Sequence, residues 1–172
     1  MQARANRFLP GHLLNSSVAV GTNAGDAGFS DTSVISRMLG KLAFDGSIGN
    51  WSPALTARMG AWIAAFKSIR HLLVQDFYQL LPQPQTAEDW DAVQFVSYSG
   101  DEALVFAFAG CQGGERFLRL RGLPRACTYV VTRMLDGTTA TISGDSLMGG
   151  GLPVALQQDQ GGLWRVLATG SQ

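Results

Sequence analysis

Residues 102–108, with the sequence EALVFAF, form the clearest strand pattern in the chain. Leu104, Phe106 and Phe108 share one face of an extended segment, and Val105 and Ala107 lie between them on the other face. A period of two residues over this length predicts a β-strand. The rest of the second half can be compared with this pattern.

Several other short segments of the second half also alternate. Residues 118–121 place two leucines on one face and two arginines on the other, and residues 129–134 alternate in the same way. Glycine-containing turns are predicted at 113–114, 136–137 and 161–162, with Asp136-Gly137 as the best hairpin signal. Residues 143–148 predict a capped helical turn before the glycines at 149–151. These features predict an antiparallel β-sandwich.

The first half has a helical period instead. Residues 13–20 predict a strand that ends in a glycine-rich loop over 21–28. Ser30 is a predicted N-cap, and apolar residues from Val34 to Ala43 follow helical spacing, with Gly46 as the stop. Ser52-Pro53 predicts the start of a second helix, whose apolar stripe we expect to pack in the core. Residues 11–82 are therefore predicted to contain one strand and two helices.

The predicted boundary between the halves lies at the prolines of residues 81–86, which favour an extended link. We accordingly expect one domain over residues 1–82 and a second over residues 83–172. The fold class predicted for the whole chain is α+β, because a mixed N-terminal half precedes an antiparallel β-domain.

Composition and charge exclude several classes of protein. Hydrophobic residues make up 46% of the 172 residues, which excludes a disordered chain, and the formal net charge is zero. Without a basic excess we expect no nucleic-acid partner. No apolar run reaches the length of a membrane span, and the N-terminus has no signal-peptide pattern. We expect Cys111 and Cys127 to be buried or half-buried thiols of a cytoplasmic protein.

No catalytic motif stands out from the residues alone. His12 and His71 lie far apart in the sequence, no cluster has metal-ligand spacing, and the glycine-rich stretches lack phosphate-loop patterns. Asp89, Asp91 and the pair Asp101-Glu102 are expected to be solvated or to cap local amides. The prediction is therefore no metal, no cofactor and no catalytic residue.

Five blocks, in this order and spacing, resemble the C-terminal part of the melibiase-type α-galactosidases, which are clan D glycoside hydrolases. The blocks are FLP at 8–10 with residues 13–20, GSIGNWSP at 46–53, FKSIR at 66–70 with DFYQLL at 76–81, WDAVQF at 90–95 with EALVFAF at 102–108, and SGDSLM at 143–148 with GLPV at 151–154.

The resemblance implies a fold and an activity for the family. Its members combine a (β/α)₈ barrel with a small antiparallel β-domain, and are retaining glycosidases with two Asp carboxylates about 5–5.5 Å apart. Neither carboxylate motif has a match here, so residues 1–82 would be the end of a barrel. By the same resemblance Asn15, Ser16 and Ser17 lie near the end of the eighth strand, close to substrate, with Ser17 where the family has a His.

The leading hypothesis is a truncated α-galactosidase-like glycoside hydrolase fragment without catalysis of its own. One alternative is a self-associating structural or interaction module that forms a homo-oligomer, because a barrel end without its neighbours leaves open strand edges. Another is a carbohydrate-binding module, with Trp90 and Trp164 as stacking platforms, although most of the aromatic rings are expected in the core. The expected ligand is an α-galactoside or another sugar, with neither nucleic acid nor membrane as partner.

Overall fold

The computed structural model describes residues 15–19, 29–45 and 48–169. The chain forms two compact units, Met1–Val74 and Gln75–Gln172. The sequence predicted the boundary after residue 82, at the prolines, whereas the two units divide between Val74 and Gln75. The reason is that the strand Asp76–Gln79 pairs with Asp91–Val96, so the proline-containing link between them is a loop inside the second unit.

The N-terminal unit contains a β-α-β arrangement followed by a long helix. Strand β1 spans Asn15–Ala19, helix α1 spans Asp31–Arg37, and strand β2 spans Lys41–Asp45. Helix α2 follows at Pro53–Ile69. β1 and β2 are parallel, with register from Asn15 opposite Lys41 to Ala19 opposite Asp45. Two 3₁₀ turns complete the described part of the unit, at Ile48–Asn50 and Arg70–Val74.

The prediction of one strand and a helix reaching Ala43 was wrong. Helix α1 ends at Arg37, and Leu42 and Ala43 belong to β2. The backbone N–H of Gly40 donates to the carbonyl of Arg37 in the turn between the two elements. A short apolar run fits both helical and extended spacing, so its period alone does not decide between them. The predicted loop at 21–28, the strand ends at 13–14 and 20, and the Gly46 stop lie outside the described residues.

The start of α2 is confirmed. The Ser52 hydroxyl accepts a hydrogen bond of 3.0 Å from the Leu55 amide, and Pro53 occupies the first helical position. These features satisfy an otherwise unpaired amide and fix a helical φ at the first turn. The apolar stripe is buried at four helical positions: Leu55, Met59, Trp62 and Ile69.

The C-terminal unit contains a six-stranded antiparallel sheet and a two-stranded antiparallel ribbon, which agrees with the predicted antiparallel β-domain. The sheet has the order β3-β4-β5-β10-β7-β8, and the ribbon pairs β6 with β9. The strands are β3 Asp76–Gln79, β4 Asp91–Val96, β5 Glu102–Phe108, β6 Gly114–Leu118, β7 Thr128–Arg133, β8 Thr139–Ser143, β9 Leu152–Leu156 and β10 Gly161–Ala168. A short helix, α3, spans Gly144–Gly149 between β8 and β9.

The core of this unit lies between the sheet, the ribbon and α3. Val105 and Trp164 from the sheet belong to the same buried cluster as Leu118 and Val154 from the ribbon and Leu147 from α3. Alternation along each strand is the cause, because inward-facing residues recur at every second position. The opposite face of the sheet holds a series of edge-to-face rings, with Phe77–Phe95 centroids 5.3 Å apart and Phe95–Phe106 centroids 6.1 Å apart.

The turn predictions had mixed outcomes. The Asp136-Gly137 hairpin is confirmed between β7 and β8, with Gly137 at φ +73°. The cap of α3 is also confirmed, since the Ser143 hydroxyl accepts from the Ser146 amide at 3.1 Å. The predicted turn at residues 161–162 was wrong, because both glycines lie in β10. The chain reverses just before them, where the Gln157 amide donates to the Gln160 side-chain oxygen.

Candidate functional site

The three residues that the resemblance placed near substrate form the first part of β1. Asn15, Ser16 and Ser17 pair in register with the first three residues of β2, and Ser17 is exposed. Their proximity to a substrate stays a prediction. The structure shows only that they lie on a strand that pairs in parallel with β2.

Asp31, at the start of α1, accepts three hydrogen bonds from side chains of α2. One of its oxygens accepts from the Arg58 Nε at 2.8 Å and from the Trp62 indole at 2.7 Å, and the other pairs with the Arg58 guanidinium. Burial raises the pKa of Asp31, but the hydrogen bonds from Arg58 and Trp62 outweigh it and lower the pKa below its ordinary value. This carboxylate connects the start of α1 to α2, and both of its oxygens already accept hydrogen bonds.

Two carboxylates of the C-terminal unit stabilise turns. Asp89 accepts from the amides of Thr86 and Gln85 at 2.8 and 2.9 Å, which lowers its pKa. Asp101 accepts from the hydroxyls of Ser97 and Ser99, and its pKa is lowered as well. The expectation that such groups are solvated or cap local amides is confirmed at Asp89. Asp101 accepts from hydroxyls instead, and Glu102 pairs with Arg165 of β10 at 2.7 Å. A glycosidase acid needs a raised pKa, which is the opposite direction.

The indoles suggested as sugar platforms are buried. Trp90 is 4% exposed and Trp164 is 6% exposed, and each has an arginine over its ring. The Trp90 indole N–H donates to the Gly113 carbonyl at 3.3 Å. These two tryptophans therefore contribute to the core instead of presenting open ring faces to a sugar.

The exposed aromatic rings of the C-terminal unit are elsewhere. Tyr98 is 77% exposed in the turn before β5, and Phe117 is 67% exposed on β6, directly opposite Pro153 of β9. Sequence reasoning missed both because exposure, not residue type, distinguishes a platform from a core ring.

A cleft of about 580 Å³ lies in the N-terminal unit. Lys41 from β2, Lys67 from α2, and Arg70 and His71 from the following 3₁₀ turn line it together with apolar side chains. The sequence alone explains Lys67, Arg70 and His71 by their position near the C-terminal end of a helix, where positive charge is favourable. The structure adds Lys41, so the cleft has a basic lining drawn from three elements.

Some further features concern metals, membranes and thiols. Within residues 15–19, 29–45 and 48–169, no group of three His, Cys, Asp or Glu side chains is arranged to hold a metal ion. In the same described residues, no helix combines the length and apolar character needed to cross a membrane. Cys111 and Cys127 are free, half-buried thiols.

Comparison with known proteins shows which fold this is. Residues 90–166 match the family model described as the glycosyl hydrolase family 36 C-terminal domain. No curated protein matches the chain.

Solved structures extend the similarity to nearly the whole chain. The galactosidase domain of the alpha-galactosidase-sucrose kinase AgaSK is 20% identical with a TM-score of 0.78, over 98% of this chain and 24% of that one. The α-galactosidase of Lactobacillus brevis is 19% identical with a TM-score of 0.77, over 95% of this chain and 23% of that one. The α-galactosidase AgaA of Geobacillus stearothermophilus, in complex with stachyose, is 25% identical with a TM-score of 0.76, over 93% and 22%.

The resemblance found in the sequence is therefore confirmed. The chain has the fold of part of a family 36 α-galactosidase, and residues 90–166 are similar to the C-terminal domain of that family. It spans about a quarter of the length of the structures it matches. The similarity is consistent with the C-terminal part of such an enzyme.

Proposed function

We propose that this chain is a noncatalytic C-terminal part of an α-galactosidase-like glycoside hydrolase. The observation that supports it most directly is the family 36 C-terminal match at residues 90–166, joined to a structural similarity over 98% of the chain. The side chains support it too, because Asp31, Asp89 and Asp101 are each held by nearby donors. Retaining glycosidases need a pair of carboxylates facing one bond, with one of them protonated.

The proposal assigns the β-α-β arrangement to the end of a barrel. β2 is then the last barrel strand and β1 the strand before it, since among the described residues only the 3₁₀ turn Ile48–Asn50 and α2 lie between β2 and the C-terminal unit's first strand, apart from the 3₁₀ turn that ends α2. Asn15, Ser16 and Ser17 accordingly belong to the penultimate strand rather than to the eighth. If they lie near a sugar, titration of isotope-labelled chain with raffinose will shift the amide resonance of Ser17.

The test is hydrolysis of a nitrophenyl α-galactoside by the purified chain, with a complete family 36 α-galactosidase as the positive control. We expect no release of nitrophenol above that of buffer, because neither carboxylate motif of the family has a match in this sequence. Release that follows chain concentration and survives further purification would contradict the proposal. Replacing Asp31 by Asn would then show whether that carboxylate participates.

A second candidate function is self-association. Among the described residues β1 and β2 form a sheet of two parallel strands, whereas parallel sheets normally have more strands and covered faces. Open edges of this kind pair readily with another strand. Sedimentation analysis over a range of concentrations should then show a dimer or larger oligomer, and a monomer throughout would contradict this role.

A third candidate is sugar binding by the β-domain. The exposed Phe117 ring beside Pro153 is the specific observation that favours it, since sugars stack on open aromatic faces. Calorimetric titration with galactose and raffinose should give heat that Phe117→Ala removes and that Tyr98→Ala leaves unchanged. Equal binding by all three proteins would place any sugar site elsewhere.

We also place the protein in the cytoplasm, because Cys111 and Cys127 are unpaired thiols.

A further inference from the structure

The basic cleft of the N-terminal unit has the shape and composition of a small-molecule site. Its volume of about 580 Å³ lies in the range of ligand pockets. The start of β2 contributes Lys41 and Leu42, the end of α2 contributes Phe66 and Lys67, and the 3₁₀ turn contributes Arg70. Leu42 and Phe66 are half-buried and Lys41, Lys67 and Arg70 are exposed, so the lining combines apolar and cationic side chains.

The charges in this cleft are all of one sign. Among the described residues, the lining of the cleft includes no aspartate or glutamate, and Lys41, Lys67 and Arg70 form no ion pair with a carboxylate. The C-terminal end of α2 accounts for positive charge at Lys67 and Arg70. It does not account for Lys41, which lies on β2. Like charges that line one cleft repel one another, and a bound anion removes that repulsion.

We propose that this cleft binds a small organic phosphate. Three positive charges match a phosphate dianion better than they match a single carboxylate, and the Arg70 guanidinium can form paired hydrogen bonds to phosphate oxygens. The apolar side chains of Leu42, Phe66 and Leu73 would contact the organic part of the ligand. This site does not depend on the proposed place of the chain in a glycoside hydrolase.

The test is calorimetric titration of the full 172-residue chain with phenyl phosphate, inorganic phosphate and benzoate. Phenyl phosphate should bind most tightly, because inorganic phosphate lacks the apolar part and benzoate has one charge. Its affinity should fall at high ionic strength, since the attraction between charges is screened. Phosphorus resonances of phenyl phosphate should broaden or shift on addition of the chain.

Variants of exposed residues make the test specific. Lys41→Gln and Arg70→Gln should each weaken phenyl phosphate binding about fivefold or more, and the double variant should abolish it. Arg119→Gln is the matched control, because Arg119 is also exposed but does not line the cleft, and it should change affinity less than about twofold. Circular dichroism should show that all variants are folded. Unchanged binding in the double variant, or benzoate binding as tight as that of phenyl phosphate, would overturn the proposal.

Discussion

The side-chain amide of Gln94 pairs with both main-chain groups of Arg121. Its nitrogen donates to the Arg121 carbonyl at 2.8 Å, and its oxygen accepts from the Arg121 amide at 2.9 Å. Gln94 is completely buried on β4, and the segment after β6 has no strand partner at this point. The side chain thus performs the role of a neighbouring strand and connects the sheet to the chain that leaves the ribbon.

Replacing Gln94 by Leu should destabilise the C-terminal unit strongly. The change keeps the volume but leaves the N–H and C=O of Arg121 without their partner, so we expect a loss of about 2–4 kcal/mol in the free energy of unfolding. Urea titration followed by tryptophan fluorescence measures it. Gln158→Leu, at an exposed position, is the control and should stay within about 0.5 kcal/mol. An equal effect of both changes would mean that the paired hydrogen bonds contribute nothing specific.

The buried Tyr129 predicts a loss of stability at alkaline pH. Its hydroxyl donates to the Gly100 carbonyl at 2.8 Å, and burial, followed by the charges of Cys127 and Asp101, raises its pKa to about 12. The unfolded chain ionises first, near its ordinary pKa of about 10, so stability is full below that pH and is lost between the two values.

Tyr129→Phe tests this relationship. At pH 8 the variant should be less stable by about 1 kcal/mol, because it lacks the hydrogen bond to Gly100. Between pH 8 and pH 11 the wild-type chain should lose about 1.4 kcal/mol more than the variant, since one unit of pKa corresponds to that amount. Urea titrations at both pH values measure the two differences. A difference in unfolding free energy between the wild-type chain and Tyr129→Phe that stays constant with pH would show that Tyr129 has no raised pKa.

The two halves of the chain differ in how far their sequences could predict them. β5 and β7 were predictable because each is a short run of apolar, aromatic and β-branched residues bounded by turn signals, which favours a strand over a helix. β2 was not, because the five residues Lys41–Asp45 continue the apolar spacing of α1 without a clear break. The basic cleft was also hidden, since Lys41 and Lys67 lie on different elements and only the fold brings both to one lining. The buried tryptophans show the same limit, because residue type does not determine which rings face water.

From the lowered pKa of Asp31 we expect the chain to lose stability as the pH falls, whereas Tyr129 causes a loss as the pH rises. The pKa of Asp31 is lower in the folded chain than in the unfolded chain. Its contribution to the free energy of unfolding is therefore present above its ordinary pKa of about 4 and is lost as the pH falls toward the pKa of the folded chain. Asp31→Asn removes the ion pair with Arg58 and should cost about 1–2 kcal/mol at pH 7. The difference from the wild-type chain should narrow at pH 2 to 3. Urea titrations at both pH values measure it.

A second ion pair provides the control for Asp31. Arg125 and Asp145 approach to 2.5 Å, but their side chains are 61% and 72% exposed. Solvent screens such a pair, so Arg125→Gln should change stability by no more than about 0.5 kcal/mol at either pH. An effect of Arg125→Gln as large as that of Asp31→Asn would show that the buried indole contact of Asp31 adds nothing.

Replacement by alanine should have opposite effects on stability at two glycines, Gly110 and Gly60. A Cβ at Gly110 would lie 2.1 Å from the backbone oxygen of Glu88, whereas a Cβ at Gly60, on α2, meets nothing within 4 Å. Gly110→Ala therefore forces two backbone segments apart and should cost about 2 kcal/mol or more. Gly60→Ala should stabilise the chain by about 0.5–1 kcal/mol, because alanine restricts the unfolded chain and favours helix. Thermal and urea unfolding of both variants measure the two signs, and a stabilising Gly110→Ala would show that the loop at Glu88 yields without cost.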